Sequence, residues 1–319
     1  MNLKRVHPQL RKTYKRIPTL PFHNTAVLGL AKFCSRFLQP RAKSKYGVLL
    51  SRHRLSNSNI RVYRPEGECS GAGLLWIHGG GYIFGAAGFN DKECARYARE
   101  LKLVVVSVDY RLASEFPFPC ALDDCYEAWQ WFLEQCTQLG VSPHRIVVSG
   151  QSAGGGLAAG LVQRIADQSG IQPAGQALFC PMLDDRTASL KELDKVQHLG
   201  WNSKSNRRGW SDYLGQAPGS PTVPPYASPA RRENLSGLPP AWIGVGDIDL
   251  FYQEDCDYAG SLTKAGVACD LKIVPGAPHG FETVAPDVPI TREFYDSHDQ
   301  FLRKALQLTQ PSKERELSA

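Results

Sequence analysis

Residues 150–154 read Gly-Gln-Ser-Ala-Gly, and their serine, Ser152, is the residue best placed for chemistry. The apolar run before it predicts a buried strand, and the small residues after it predict a helix. A strand that turns at once into a helix strains its turn residue, and the two glycines remove side chains that would collide there. Free N–H groups at the helix N-terminus would stabilise negative charge beside the serine. The pattern predicts a nucleophile that attacks a carbonyl, although a solvated serine in a glycine-rich turn is the alternative.

Residues 78–82 read His-Gly-Gly-Gly-Tyr and follow an apolar run that predicts a strand at 73–78. Glycines allow backbone N–H groups to approach a ligand oxygen closely. The tetrahedral intermediate of acyl transfer needs such donors for its oxyanion. We therefore interpret this segment as an oxyanion loop, with a flexible turn as the alternative.

A serine nucleophile also needs a base and an acid that orients the base. His279 lies on a predicted turn after a late strand, where a loop could bring it over the sheet edge. Asp247 and Asp249 both follow the strand predicted at 241–245, and either could instead cap a helix. Chain position alone leaves both aspartates open as the acid.

The elements that must position these residues alternate between strands and helices. Strands are predicted at 60–63, 73–78, 103–109, 146–149, 175–180, 241–245 and 271–274. Helices are predicted at 25–38, 91–101, 121–138, 154–168, 206–214, 253–265 and 291–306. The alternation predicts a parallel sheet covered by helices on both faces. Residues 181–240 interrupt it with a Pro-, Gly- and Ser-rich stretch, which indicates a lid or binding wall.

A chain of 319 residues with 42% hydrophobic content can fold as one α/β domain, and we expect one domain over 1–319. No apolar run is long enough to cross a bilayer. The nine cysteines show no paired spacing, and the sequence shows no signal-peptide pattern. We therefore expect a soluble, cytoplasmic protein with reduced thiols. The cysteine spacing does not favour a zinc site. The polar tail 310–319 is expected to be disordered.

The net charge of +6 hides an asymmetry, because residues 1–65 contain 15 Lys and Arg and no Asp or Glu. The remainder carries 22 basic against 31 acidic residues, a net charge near −9. A basic leader can serve a membrane surface, a nucleic acid or organelle targeting. We favour a segment that folds back onto the acidic body, in which the apolar face of the helix at 25–38 is covered. Nucleic-acid binding is not expected, since no such module is recognisable.

Seven motifs occur in one order along the chain: HGGGY at 78–82, DYRLA at 109–113 with FPFP at 116–119, GQSAGG at 150–155, PMLDDR at 181–186, SGLPP at 236–240, DLF at 249–251 and HGF at 279–281. With them the sequence resembles the hormone-sensitive-lipase-like α/β-hydrolases, the bacterial fold-3 esterases. The resemblance implies a mostly parallel eight-stranded sheet and a helical cap formed by about 1–45 and 182–230. It also implies that no cofactor or metal is needed.

The resemblance also assigns roles. Ser152, Asp249 and His279 are the implied triad, because Asp249 precedes a Leu-Phe step as the family's acid does. Gly80, Gly81 and Ala153 are the implied oxyanion donors. Beside them, Tyr82 and Phe84 are expected to line the substrate pocket, with core packing as the alternative. Two positions depart from the family: many relatives carry Asp or Glu at Gln151, and a tyrosine is common at Cys180.

The implied function is hydrolysis of small-molecule carboxylic esters with short to medium acyl chains, through an acyl-enzyme. An amidase or acyltransferase with the same triad remains an alternative, because the sequence does not separate acceptors. So does a non-catalytic binding protein like the plant gibberellin receptors, although those lack the histidine that is present here as His279. Association with a membrane surface through the basic N-terminus is not favoured. A homodimer is one option that the sequence leaves open.

Overall fold

An eight-stranded sheet organises the computed structural model, which describes residues 3–17, 19–40 and 47–309. The strands are β1 Val48–Arg54, β2 Asn59–Pro65, β3 Gly73–Ile77, β4 Val104–Asp109, β5 Ile146–Gln151, β6 Gly175–Phe179, β7 Ala241–Gly246 and β8 Cys269–Val274. Their spatial order is β1-β2-β4-β3-β5-β6-β7-β8. β2 is antiparallel to both of its neighbours, and β3 to β8 are parallel. The predicted fold class is confirmed.

The central strands are buried on both faces because successive side chains point to opposite sides of the sheet. Leu74 and Trp76 of β3 enter one apolar core, and Leu75 and Ile77 enter the other. The near-continuous apolar runs of the sequence reflect this double burial. They also explain why every predicted strand overlaps an observed one.

The α-helices are α1 Pro8–Tyr14, α2 Thr25–Phe37, α3 Asp91–Glu100, α4 Cys120–Leu139, α5 Ala153–Asp167, α6 Ser203–Leu214, α7 Tyr252–Lys264, α8 Phe281–Val284 and α9 Pro289–Ala305. Their ends follow local signals. The side chain of Asn24 caps α2 by accepting from the N–H groups of Ala26 and Val27. Gly140 ends α4 with a φ of +68°. No described helix has both the length and the apolar character that crossing a bilayer requires.

Three elements were not predicted: α1, β1 and α8. β1 is an edge strand in which only Val48 is buried, so its sequence lacks the alternation of a half-buried strand. α1 and α8 have seven and four residues, too few for a helical period to be recognised.

Two segments lie against the carboxyl ends of the strands, where the motif residues are. From the N-terminal segment, the hydroxyl of Tyr14 donates to the carbonyl oxygen of His279 at 3.3 Å. From the segment between β6 and β7, Gly200 packs so closely that a Cβ there would lie 2.4 Å from the same oxygen. The extent of a cap over about 1–45 and 182–230 stays a prediction. Residues 41–46 and the tail predicted to be disordered lie outside the described residues.

Candidate active site

Ser152 occupies the turn between β5 and α5 with φ +55° and ψ −120°, a region that non-glycine residues rarely adopt. The turn is tight enough to exclude side chains on both flanks. A Cβ on Gly150 would lie 2.2 Å from the carbonyl oxygen of Gly154, and one on Gly154 would lie 2.2 Å from that of Ile77. Both positions therefore require glycine, as the sequence predicted. The strained turn places the serine at the start of a helix.

The structure brings the three predicted triad residues together. His279 Nε2 lies 2.9 Å from Ser152 Oγ, and His279 Nδ1 lies 2.8 Å from Asp249 Oδ2. The carboxylate of Asp249 is buried, and its second oxygen accepts from the N–H of Phe251 at 3.0 Å. This chain of contacts joins a hydroxyl, an imidazole and a carboxylate in the order that proton removal from serine requires.

The two candidate acids have different surroundings although they are two residues apart. Asp249 is buried and faces His279, whereas Asp247 is exposed. Oδ1 of Asp247 accepts from the N–H of Gly276 at 2.6 Å. Asp247 thus braces the turn that leads to His279.

Electrostatics favour the protonated form of His279. Burial alone would lower its pKa, but the charge of Asp249 and the hydrogen bond to it outweigh burial, and Glu282 adds to them. The pKa of His279 is therefore raised above its usual value. An imidazole of this kind accepts a proton readily and holds it next to a carboxylate.

The loop 78–85 passes directly beside the nucleophile. A Cβ on Gly79 would lie 3.4 Å from that of Ser152. Gly80 and Gly81 have φ values of +127° and +57°, and no described residue accepts a hydrogen bond from their N–H groups. Ala153 is the first residue of α5, where the N–H has no acceptor within the helix. The N–H groups of the three predicted donors are thus not engaged by described residues, and their role as oxyanion donors stays a prediction.

His78 anchors this loop. Its ring stacks on Tyr110 at 4.2 Å, and the Tyr110 hydroxyl donates to the His78 carbonyl oxygen at 2.9 Å. Burial lowers the pKa of His78, which favours the neutral imidazole. Asp109, one residue before Tyr110, accepts from the N–H of Ala87 at 3.1 Å, beyond the loop's other end. Rigid support of this kind keeps amide donors in place during a reaction.

The two predicted pocket residues have different positions. Tyr82 is buried, stacks on Tyr213 at 4.0 Å and donates to the carbonyl oxygen of Met182 at 3.0 Å. This position corresponds to the core-packing alternative. Phe84 is half-buried and stacks on Phe22 at 4.3 Å. Phe84 therefore remains the candidate for a pocket wall.

The chain matches the model of a family described by the alpha/beta hydrolase fold over residues 74–283. It is similar to the ethyl acetate hydrolase of Pseudomonas putida, at 33% identity over 233 residues that cover 70% of each chain. It is also similar to the carboxylesterase NlhH of Mycobacterium tuberculosis, at 33% identity over 79% of this chain and 80% of that one. Among solved structures, a bacterial heroin esterase superposes with a TM-score of 0.87 at 33% identity, covering 96% and 99% of the two chains.

The chain belongs to the hormone-sensitive-lipase-like α/β-hydrolases. Relatives of this kind identify it as a carboxylic-ester hydrolase of the serine-esterase class. The family resemblance inferred from the seven motifs is confirmed.

This hydrolase has a contact beside the three candidate triad residues that the sequence did not suggest. The side-chain N–H group of Gln151 donates to Glu282, and to the hydroxyl of Thr283 at 2.8 Å. Burial raises the pKa of the Glu282 carboxyl. The contact joins the serine turn to α8, directly after His279. Gln151 is a departure from the family, but no sequence motif indicates its contact with Glu282.

Cys180, the other departure from the family, is also close to Asp249 and His279. Its thiol is buried, and burial raises its pKa. The ligating atoms of Cys180, Asp249 and His279 lie within 4.8 Å of one another. Asp249 and His279 are, however, already engaged with each other. The expected absence of a metal and a cofactor stays a prediction.

Proposed function

We propose that this hydrolase cleaves small-molecule esters through an acyl-enzyme on Ser152, with His279 as the base and Asp249 as the acid that orients it. One observation carries the proposal: the continuous contact from Ser152 Oγ through the His279 imidazole to Asp249, at 2.9 and 2.8 Å. The protonation of the imidazole matters, because Nε2 must be free to accept a proton while Nδ1–H donates to Asp249.

In the first half of the reaction, Ser152 Oγ attacks the ester carbonyl carbon and its proton passes to His279 Nε2. The carbonyl oxygen becomes an oxyanion, which the N–H groups of Gly80, Gly81 and Ala153 stabilise. Collapse of this intermediate breaks the bond to the alcohol oxygen. The imidazolium gives its proton to that oxygen, and the alcohol leaves.

In the second half, water attacks the acyl-enzyme and loses a proton to His279 Nε2. A second oxyanion forms in the same position and collapses to release the carboxylic acid. The proton returns to Ser152 Oγ, so the enzyme is regenerated with no net change. Asp249 holds the same tautomer in both halves and stabilises the imidazolium each time.

Aromatic side chains near the oxyanion loop support a preference for short to medium acyl chains. Trp201 covers Gly81 so closely that a Cβ on the glycine would lie 2.3 Å from the indole ring. Phe22 packs beside the same indole, with ring centroids 5.9 Å apart, and stacks on Phe84. A rigid aromatic wall at this position limits the room for a long chain.

The test measures hydrolysis of p-nitrophenyl esters of graded chain length, and labelling by an organophosphonate followed by mass spectrometry. We expect the highest kcat/KM on the acetate to hexanoate esters and one covalent adduct on Ser152. An adduct on another residue would contradict the proposed nucleophile. Rapid turnover of esters only in the presence of an added alcohol or amine would favour the acyltransferase alternative.

A further inference from the structure

The outer face of α2 exposes large apolar side chains. Leu30, Phe33 and Phe37 are 64%, 52% and 63% exposed, and their spacing places them along one side of the helix. The rings of Phe33 and Phe37 contact each other, with centroids 5.0 Å apart. A contiguous apolar patch of this kind usually marks an interaction site, whereas single exposed apolar residues are ordinary.

The inner face of α2 contacts the body of the protein through Ser35 and Leu28. The hydroxyl of Ser35 donates to the carbonyl oxygen of Ala31 and accepts from the N–H of Gly85, both at 2.8 Å. Leu28 is the buried apolar side chain of this face. The expectation that the body covers the apolar face of this helix is therefore met at Leu28 and not at Leu30, Phe33 and Phe37.

Positive charge flanks the exposed stripe. Lys32 donates to the hydroxyl of Ser114, and the Arg36 guanidinium lies over the Phe37 ring at 5.5 Å. Neither cation forms an ion pair with a described residue. Residues 1–65 contain no carboxylate that could neutralise them. No ion pair with a described residue therefore neutralises the charges of Lys32 and Arg36.

We propose that the outer face of α2 docks onto an anionic lipid surface, with Leu30, Phe33 and Phe37 in the acyl boundary and Lys32 and Arg36 at the headgroups. An amphipathic helix with aromatic and leucine side chains on one face and cations beside them binds membranes in this orientation. A second copy of the chain fits less well. A two-fold contact would bring two copies of the same basic patch together, and α2 contains no acidic residue to oppose the cations.

Such docking would bring the candidate active site close to the lipid surface. Phe22 lies two residues before the Asn24 cap of α2 and stacks on Phe84, beside the oxyanion loop. Esters that partition into a membrane would then reach the enzyme from the surface to which it is bound. Docking itself requires no catalysis, so it can be tested independently of the proposed triad.

The experiment measures co-sedimentation of the full chain with phosphatidylcholine vesicles, with and without phosphatidylglycerol, at low and high salt. We expect binding to the anionic vesicles that weakens with salt. The triple variant Leu30→Ser, Phe33→Ser, Phe37→Ser should lose binding at least about tenfold. Each of Lys32→Gln and Arg36→Gln should weaken it about fivefold, the equivalent of about 1 kcal/mol per cation.

The matched control is Leu271→Ser, Ile273→Ser, which removes two exposed apolar side chains from the edge strand β8. It should bind vesicles like the wild type. Hydrolysis of p-nitrophenyl acetate without vesicles should be unchanged in all variants, which also shows that they fold. No wild-type binding to anionic vesicles, or equal loss in the control, would overturn the proposal. So would a wild-type dimer that only the α2 triple variant converts to a monomer in light scattering, because the occupant would then be a second copy.

Discussion

The candidate site and its covering segments are built differently. Ser152, Asp249 and His279 follow the ends of β5, β7 and β8, and the backbone of Ser152 has a φ of +55°. The covering residues Phe22 and Trp201 are held by ring packing across distant parts of the chain. In the proposed function, the groups that follow the strand ends carry out the chemistry, and substitution of these groups is poorly tolerated. The packed rings form a wall whose shape a substitution can change. We therefore expect changes at the strand ends to lower turnover and changes in the cover to alter substrate choice.

Among the residues that follow the strand ends, Ser152 should give the largest effect when it is changed to alanine. Loss of the nucleophile should lower kcat by about 10⁴ to 10⁶ on any ester, because no acyl-enzyme can form. The melting temperature should stay near that of the wild type, because the hydroxyl's recorded side-chain contact is with His279. A variant that kept a tenth of wild-type turnover would show that another residue is the nucleophile.

Asp249→Asn and Asp247→Asn form a matched pair of substitutions two residues apart. The amide at position 249 would favour the wrong tautomer of His279, and kcat should fall by about 10³ to 10⁴. The amide at position 247 keeps an oxygen that accepts from Gly276, so its loss should stay under about tenfold. Both variants are compared with wild type on one ester at alkaline pH. A larger loss for Asp247→Asn would reverse the assignment of the acid.

The same difference explains what could be predicted from the sequence. A Cβ on Gly150 or Gly154 would lie less than 2.5 Å from a backbone oxygen, so both positions require glycine. The motif around Ser152 therefore specifies the local geometry almost by itself. Apolar runs identified the central strands because those strands are buried on both faces. The central strands and the turn at Ser152 followed from these two signals, whereas the choice of Asp249 over Asp247 rested on the family resemblance.

The features that could not be predicted depend on contacts between distant residues. The contact of Tyr14 with the His279 carbonyl joins positions 265 residues apart, and no local pattern near Tyr14 indicates it. The outward direction of Leu30, Phe33 and Phe37 accompanies contacts of Leu28 with the core and of Ser35 with Gly85, which lies 50 residues away. The inward position of Tyr82 depends on its packing against Tyr213. A single sequence contains no local record of such pairs.

Trp201→Leu tests the role of the covering residues. Replacing the indole should make room above Gly81, so kcat/KM on p-nitrophenyl octanoate relative to acetate should rise by about tenfold. Turnover on the acetate should change little, since the ring is not part of the proton relay. Trp201→Phe is the control and should shift the ratio less, because an aromatic ring remains. Equal losses on both esters would mean that Trp201 supports the loop and does not select substrates.

Glu282→Gln is the mildest test of the candidate site, because it removes only a charge near His279. The substitution keeps an oxygen that accepts from Gln151, so the serine turn and α8 stay joined. It removes a carboxyl whose charge contributes to raising the pKa of His279. Without it the pKa of His279 should fall.

The direction of the resulting pH effect follows from the role of the base. His279 accepts a proton only when neutral, so kcat/KM declines as the pH drops through the pKa of His279. A lower pKa in the variant moves this acid limb to lower pH, while the plateau at alkaline pH stays close to wild type. Glu293→Gln, on the exposed side of α9, is the control and should leave the limb in place. If Glu282→Gln lowered the plateau and left the limb unmoved, Glu282 would act only through its hydrogen bond. The acid–base behaviour of the site would then depend on Asp249 and burial without the help of a second carboxyl.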